Sequence, residues 1–112
     1  MTVDLMRNDV SRIARPHSVR VPRLFDVQGL PTVWQMTSDI TARTRAYTAL
    51  VDVLAALFPC ASVTGAPKAR AMHHIRQREA DARGVSCGAA GVVRPRAGAV
   101  FNVAIRTVVA RG

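Results

Sequence analysis

The chain has 112 residues, an apolar fraction of 49% and a formal net charge of +9. That length and composition fit at most one globular domain and exclude disorder, and the longest apolar run, Ala49 to Phe58, is broken by Asp52 and falls short of the ~20 residues of a membrane helix. The N-terminal MTVDLMRND carries acids where a secretion signal needs basic and then apolar residues, and Cys60 and Cys87 lack metal-ligand spacing and read as reduced structural thiols, which places the chain in the cytoplasm.

In chain order, residues 1 to 8 read as the last turns of a helix that ends at the turn formers Asn8 and Asp9. Ser18 to Val27 alternates as a strand, with Pro22 predicting an edge or a bulge. Gln28 to Pro31 breaks it, and Thr32 to Thr41 is a second strand. Tyr47 to Phe58 is helical, with Leu50, Val53, Leu54 and Leu57 in a stripe and Pro59 as the stop. Ala66 to Ala80 is the next helix, with Pro67 in its first turn, where a missing N–H costs nothing. Gly84 to Val93 and Ala99 to Ala110 form a hairpin around Arg94 to Gly98. The order ββ-αα-ββ predicts an α+β fold of antiparallel strands with two helices packed on them.

Fifteen of the 16 cations are arginines, scattered from Arg7 to Arg111 without interleaved aromatic residues. That pattern does not suit base stacking and argues against nucleic acid as a partner. The one lysine, Lys68, and Arg70 open a predicted helix, where cations are destabilising by roughly 0.3–1 kcal/mol each. Ahead of them Ser62, Thr64 and Gly65 supply two hydroxyls and room for close backbone approach. The stretch suits a carboxylate seat; an ordinary N-cap beside solvated cations would use the same residues. It is not a Walker loop, since the upstream glycine and the hydroxyl after the lysine are lacking.

In the last predicted strand, Phe101, Val103, Ile105 and Val109 share one face as core, and Asn102, Ala104 and Arg106 share the other. Arg106 beside small residues can grip a carboxylate bidentately, or simply be solvated. Gly88 to Gly91 are small enough for a ligand, or for another backbone, to come close. His73, His74 and His17 have no helical metal spacing and read as surface residues; Trp34 reads as a packing residue.

Taken together, VDLMRNDVSRIA, VRVPRLFDVQGLPTVWQMTS, LFPCASVTGAPKARAM, RGVSCGAAG and FNVAIRT resemble, in this order and across nearly the whole chain, the chorismate-utilising enzymes. PTVWQMTS and the stretch around SVTGAPK look most like the aminodeoxychorismate synthase branch, which aminates chorismate in p-aminobenzoate and folate formation. The resemblance implies that residues 1–112 are a piece of a chorismate-binding catalytic domain, with an anionic substrate over Lys68. Ser62 would lie at the ring carboxylate, and Arg106 would hold the enolpyruvyl carboxylate. It implies a glutamine amidotransferase subunit or domain as partner, no membrane, and Mg2+ in intact relatives. The family's metal-binding glutamates and nucleophilic lysine align outside this chain, so no catalytic or metal-ligating residue is expected in it, nor activity alone. The sequence departs from the family at His17, Ala61, His73 and Ser86. A piece of an anthranilate or isochorismate synthase, or a non-catalytic basic binding module, are the other readings.

Overall fold

The structure, a computed structural model, describes residues 1–110; Arg111 and Gly112, within the 1–112 expectation, lie outside the described residues. The backbone divides into two units, Met1–Leu57 and Phe58–Gly112. Antiparallel hairpins and helices make it an α+β chain, as expected.

The first unit holds α1 (Thr2–Ser11), β1 (Arg20–Gly29), β2 (Trp34–Thr41) and α2 (Leu50–Leu57). Helix α1 runs past Asn8 and Asp9, which were expected to end it. Asp9 is 1% exposed, so its weak intrinsic preference yields to packing, and the last turn closes with the Ser11 hydroxyl donating to the Asn8 carbonyl at 2.7 Å. α1 packs on α2 and β2. β1 pairs antiparallel with β2, with irregularities between Arg20 and Arg23 and between Arg23 and Asp26. The first contains Pro22, as its missing N–H requires. The second contains Phe25 at φ 55°, whose amide leaves the ladder and donates to Ser38 Oγ at 3.0 Å.

Helix α2 begins later than expected, at Leu50, because Tyr47 takes a left-handed φ of 63°. Asp52 reaches back to accept the Ala49 N–H at 2.8 Å, half of a capping box. In its predicted stripe Leu50 is exposed, Val53, Leu54 and Leu57 are half-buried, and Ala56 is the buried residue. Trp34 is not a core residue: it is 80% exposed and lays its ring over Gly29, its cross-strand partner.

The second unit holds α3 (Ala61–Thr64), α4 (Lys68–Arg78), β3 (Ala89–Arg94) and β4 (Gly98–Val103). Sequence periodicity missed α3, a single turn too short to show a period. It packs on α4. β3 and β4 pair in unbroken register from Ala89–Val103 to Arg94–Gly98, the predicted hairpin with shorter strands.

The predicted alternation after Val103 fails. Cys87 N–H donates to the Ala104 carbonyl and Ala104 N–H to that of Gly88, after which Ile105 N–H folds back to the Val103 carbonyl at 2.9 Å. The period of two is lost there. Ala104, expected opposite the core, is buried, whereas Ile105 and Val109 are exposed and Phe101 and Val103 half-buried.

Candidate functional site

All five residues singled out from sequence fall in the second unit. The turn into α4 is built locally. Cys60 opens α3 in an extended conformation, and its carbonyl accepts Val63 N–H, Thr64 N–H and the Thr64 hydroxyl, the last at 3.1 Å. Ser62 Oγ lies 3.2 Å from Cys60 Sγ. Gly65 stops α3 at φ 115°, a conformation that side chains rarely adopt, with its N–H on the Ala61 carbonyl. A methyl group at Gly65 would come within 3.3 Å of Ala71 Cβ.

Pro67, expected inside the helix, is instead its extended N-cap residue. No side chain caps α4, and its first turn holds no acid. The hydroxyls of Ser62 and Thr64 therefore do not serve as the N-cap of α4. Lys68, the first helical residue, is half-buried; Ser62 is exposed and Thr64 half-buried.

Arg106 lies beyond the end of β4, exposed, at φ 51°. Its direction is thus set by a bend and not by the strand alternation read from sequence. It makes no ion pair with a carboxylate among the described residues.

A cavity of about 550 Å³ opens beside this turn, lined by Pro59, Thr64, Met72, Ile75, Arg76, residues 79–83 and Ser86 to Gly88. Of the five expected residues it takes up Thr64; Ser62, Gly65, Lys68 and Arg106 are not in its wall. Arg76 and Arg83 are the cations that sequence reasoning passed over. Met72, Ile75, Arg76 and Glu79 recur at helical spacing, so the face could have been read from the period of α4. Glu79 accepts two hydrogen bonds from the Arg83 guanidinium, a bidentate pair with Nε at 2.6 Å.

The hydrogen bonds from Arg83 hold the Glu79 carboxyl below the ordinary 4.5 against the opposing effect of desolvation, with a further lowering by the Arg83 charge, and the same pair pushes Arg83 up. A carboxylate with a depressed pKa contributes stability above its unfolded value, and that contribution is lost as pH falls through the folded value. The Glu79 midpoint, followed by carboxyl NMR, is expected below 4.5 and should rise in Arg83→Ala, where the lowering partner is gone and only desolvation remains. An unmoved midpoint would break the assignment of the shift to this pair.

Among the described residues no three His, Cys, Asp or Glu side chains converge on a point where a metal could sit. Glu79 is tied to Arg83, and a hard divalent cation needs several oxygen ligands. The described residues do not fit a magnesium seat.

Residues 1–112 match the family model described as chorismate binding enzyme. The chain belongs to that family. It is 46% identical over 110 residues to aminodeoxychorismate synthase component 1 of Klebsiella aerogenes, which covers 98% of this chain and 24% of that protein. It is 39% identical to anthranilate synthase component 1 of Aquifex aeolicus over 99% of this chain and 22% of that one. Among solved structures, anthranilate synthase component I from Streptococcus pneumoniae superposes with a TM-score of 0.83 at 38% identity, over 95% of this chain and 24% of its own. The chain thus spans about a quarter of the length of these relatives. Among the described residues, no single helix is long and apolar enough to cross a membrane.

Proposed function

We propose that the chain is the substrate-seating segment of an aminodeoxychorismate synthase component 1. It would hold chorismate while ammonia, supplied by a glutamine amidotransferase subunit or domain, replaces the C4 hydroxyl, in the cytoplasmic route to p-aminobenzoate and folate. The observation that carries the reading is the start of α4. A helix begins there with no side-chain cap and no acid, its only first-turn charges being those of Lys68 and Arg70, so an anion would stabilise it. Identity of 46% to the aminodeoxychorismate synthases of Klebsiella and Salmonella, against 39% and 43% to the anthranilate synthases of Aquifex and Aeropyrum, favours the branch.

In this reading Lys68, the backbone at Gly65 and the hydroxyls of Ser62 and Thr64 seat the ring carboxylate. Arg106 grips the enolpyruvyl carboxylate with its planar fork. Two anchors at the ends of a dicarboxylate fix the ring between them and so orient C4 towards the incoming nitrogen. Magnesium belongs to intact relatives in this proposal, and no step is assigned to it here.

The test has two arms. The chain incubated with chorismate, ammonia and Mg2+ should form no aminodeoxychorismate above a blank. Residues 1–110 grafted in place of the matched segment of the Klebsiella relative should form it. In the graft, Lys68→Ala and Arg106→Ala should each lower kcat/KM about 10- to 100-fold, the worth of a charged hydrogen bond of about 1.5–3 kcal/mol. Indifference to both substitutions would remove the substrate seat, and anthranilate as product would move the chain to the other branch.

A further inference from the structure

Within the first unit the chain gathers cations that lie far apart in sequence. A cavity of about 500 Å³ is lined by Arg15, Pro16, His17, Ser18, Arg20 and Arg43, with no carboxylate in its wall. None of the three guanidinium groups pairs with an acid elsewhere among the described residues. Nothing in the proposed chorismate chemistry, which uses residues 62–106, employs them.

The arrangement is held from behind. Ala14 and Thr44 form an isolated antiparallel bridge, and Arg15 N–H donates to the Arg43 carbonyl at 2.8 Å. The Ser18 hydroxyl donates to the Arg15 carbonyl at 2.8 Å and accepts from Arg43 N–H at 3.3 Å, so one side chain ties the two segments. Arg15 Nε is fixed on the Thr44 carbonyl at 3.0 Å, which leaves its terminal nitrogens to donate elsewhere. Arg20 Nη1 is fixed on the His17 carbonyl at 2.7 Å. The Arg15 and Arg20 guanidinium groups, already oriented by backbone carbonyls, lose little further freedom on binding, and their forks match tetrahedral oxyanions. Like charges so grouped repel, and a dianion removes that repulsion.

We propose that this cavity binds a phosphate group, as the free ion or as a small phosphomonoester. The cavity wall carries no Phe, Tyr or Trp, so it lacks the stacking surface a single-stranded nucleic acid would use.

The test is phenylglyoxal modification of the full chain at constant ionic strength, read residue by residue by mass spectrometry. Inorganic phosphate at about ten times its dissociation constant should slow modification of Arg15, Arg20 and Arg43 about tenfold. Arg94 and Arg96, in the turn of the second unit, should change by less than about twofold. Matching protection by glycerol 3-phosphate assigns the monoester; protection by inorganic phosphate alone assigns the free ion. No protection, equal protection of Arg94 and Arg96, equal protection by chloride, or stronger protection by malonate or by an oligonucleotide would each overturn the proposal.

Discussion

Alanine in place of Gly91 is expected to abolish the β3–β4 hairpin. Gly91 faces Phe101 across the ladder, and a methyl group there would fall 2.2 Å from the Val100 carbonyl oxygen, 2.5 Å from Phe101 Cδ1 and 2.8 Å from Phe101 Cα. The oxygen and the Cα are backbone, so turning the Phe101 ring aside would not relieve them. Overpacking costs about 1–3 kcal/mol in a well-packed core, and a two-stranded hairpin is at best marginally stable on its own. The penalty therefore exceeds what the hairpin has to lose. Cross-strand NOEs between Ala90 and Asn102 should vanish in Gly91→Ala and persist in Val93→Thr on the same strand. Retention of the ladder in Gly91→Ala would show that the strands can separate locally without losing register.

The second large effect concerns the whole chain: it should bind the dye ANS and associate as its concentration rises. The chain exposes 9107 Å². A compact monomer of 12.1 kDa would expose about 6,000 Å², and even two separate compact units of half that mass about 7,300 Å². The excess does not depend on how the two units are arranged. Its chemistry is apolar. Phe25, Val27, Trp34, Met36 and Val100 are each more than half exposed. Val92 and Val93 point to opposite faces of β3 and are 58% and 57% exposed, so neither face of that hairpin is covered.

The buried apolar residues among those described are all small: Ala14, Ala56, Cys60, Ala61 and Ala104. Small side chains remove little area from water, at about 25 cal/mol per Å², while large exposed ones promote association. Sedimentation should show mass rising with concentration, and thermal melting should be broad. A monomer with a sharp cooperative melt and no dye binding would refute this.

Much of the local architecture was legible in the sequence because it depends on neighbours a few residues apart. Pro22 announced an irregular strand through its missing N–H, and β1 is irregular there. Arg94 to Gly98 announced the second hairpin. Boundaries were less legible, because they depend on contacts outside the window. Asp9 reads as a helix stop by composition but lies inside α1 because it is buried. The candidate site divides in the same way. The turn at Gly65 and the start of α4 follow from glycine and proline punctuation. The direction of Arg106 followed from an assumed strand that ends three residues earlier.

By itself, then, the sequence determined the α+β class, the order of the elements other than the single turn α3, the family, and a glycine turn leading into a helix that opens with Lys68. Each of these rests on local steric preference or on motifs contiguous in the chain. Only the tertiary structure decided which cations meet. Arg15, Arg20 and Arg43 look scattered in sequence, and come to one cavity because a backbone bridge from Ala14 to Thr44 closes the intervening hairpin. It also decided that Arg76 and Arg83 share a cavity with Thr64, while Lys68 and Arg106 stay out of its wall. The physical reason is that charge carries no local signature of its partner: an arginine is equally at home in any exposed backbone, and where it ends up is set by pairings far along the chain.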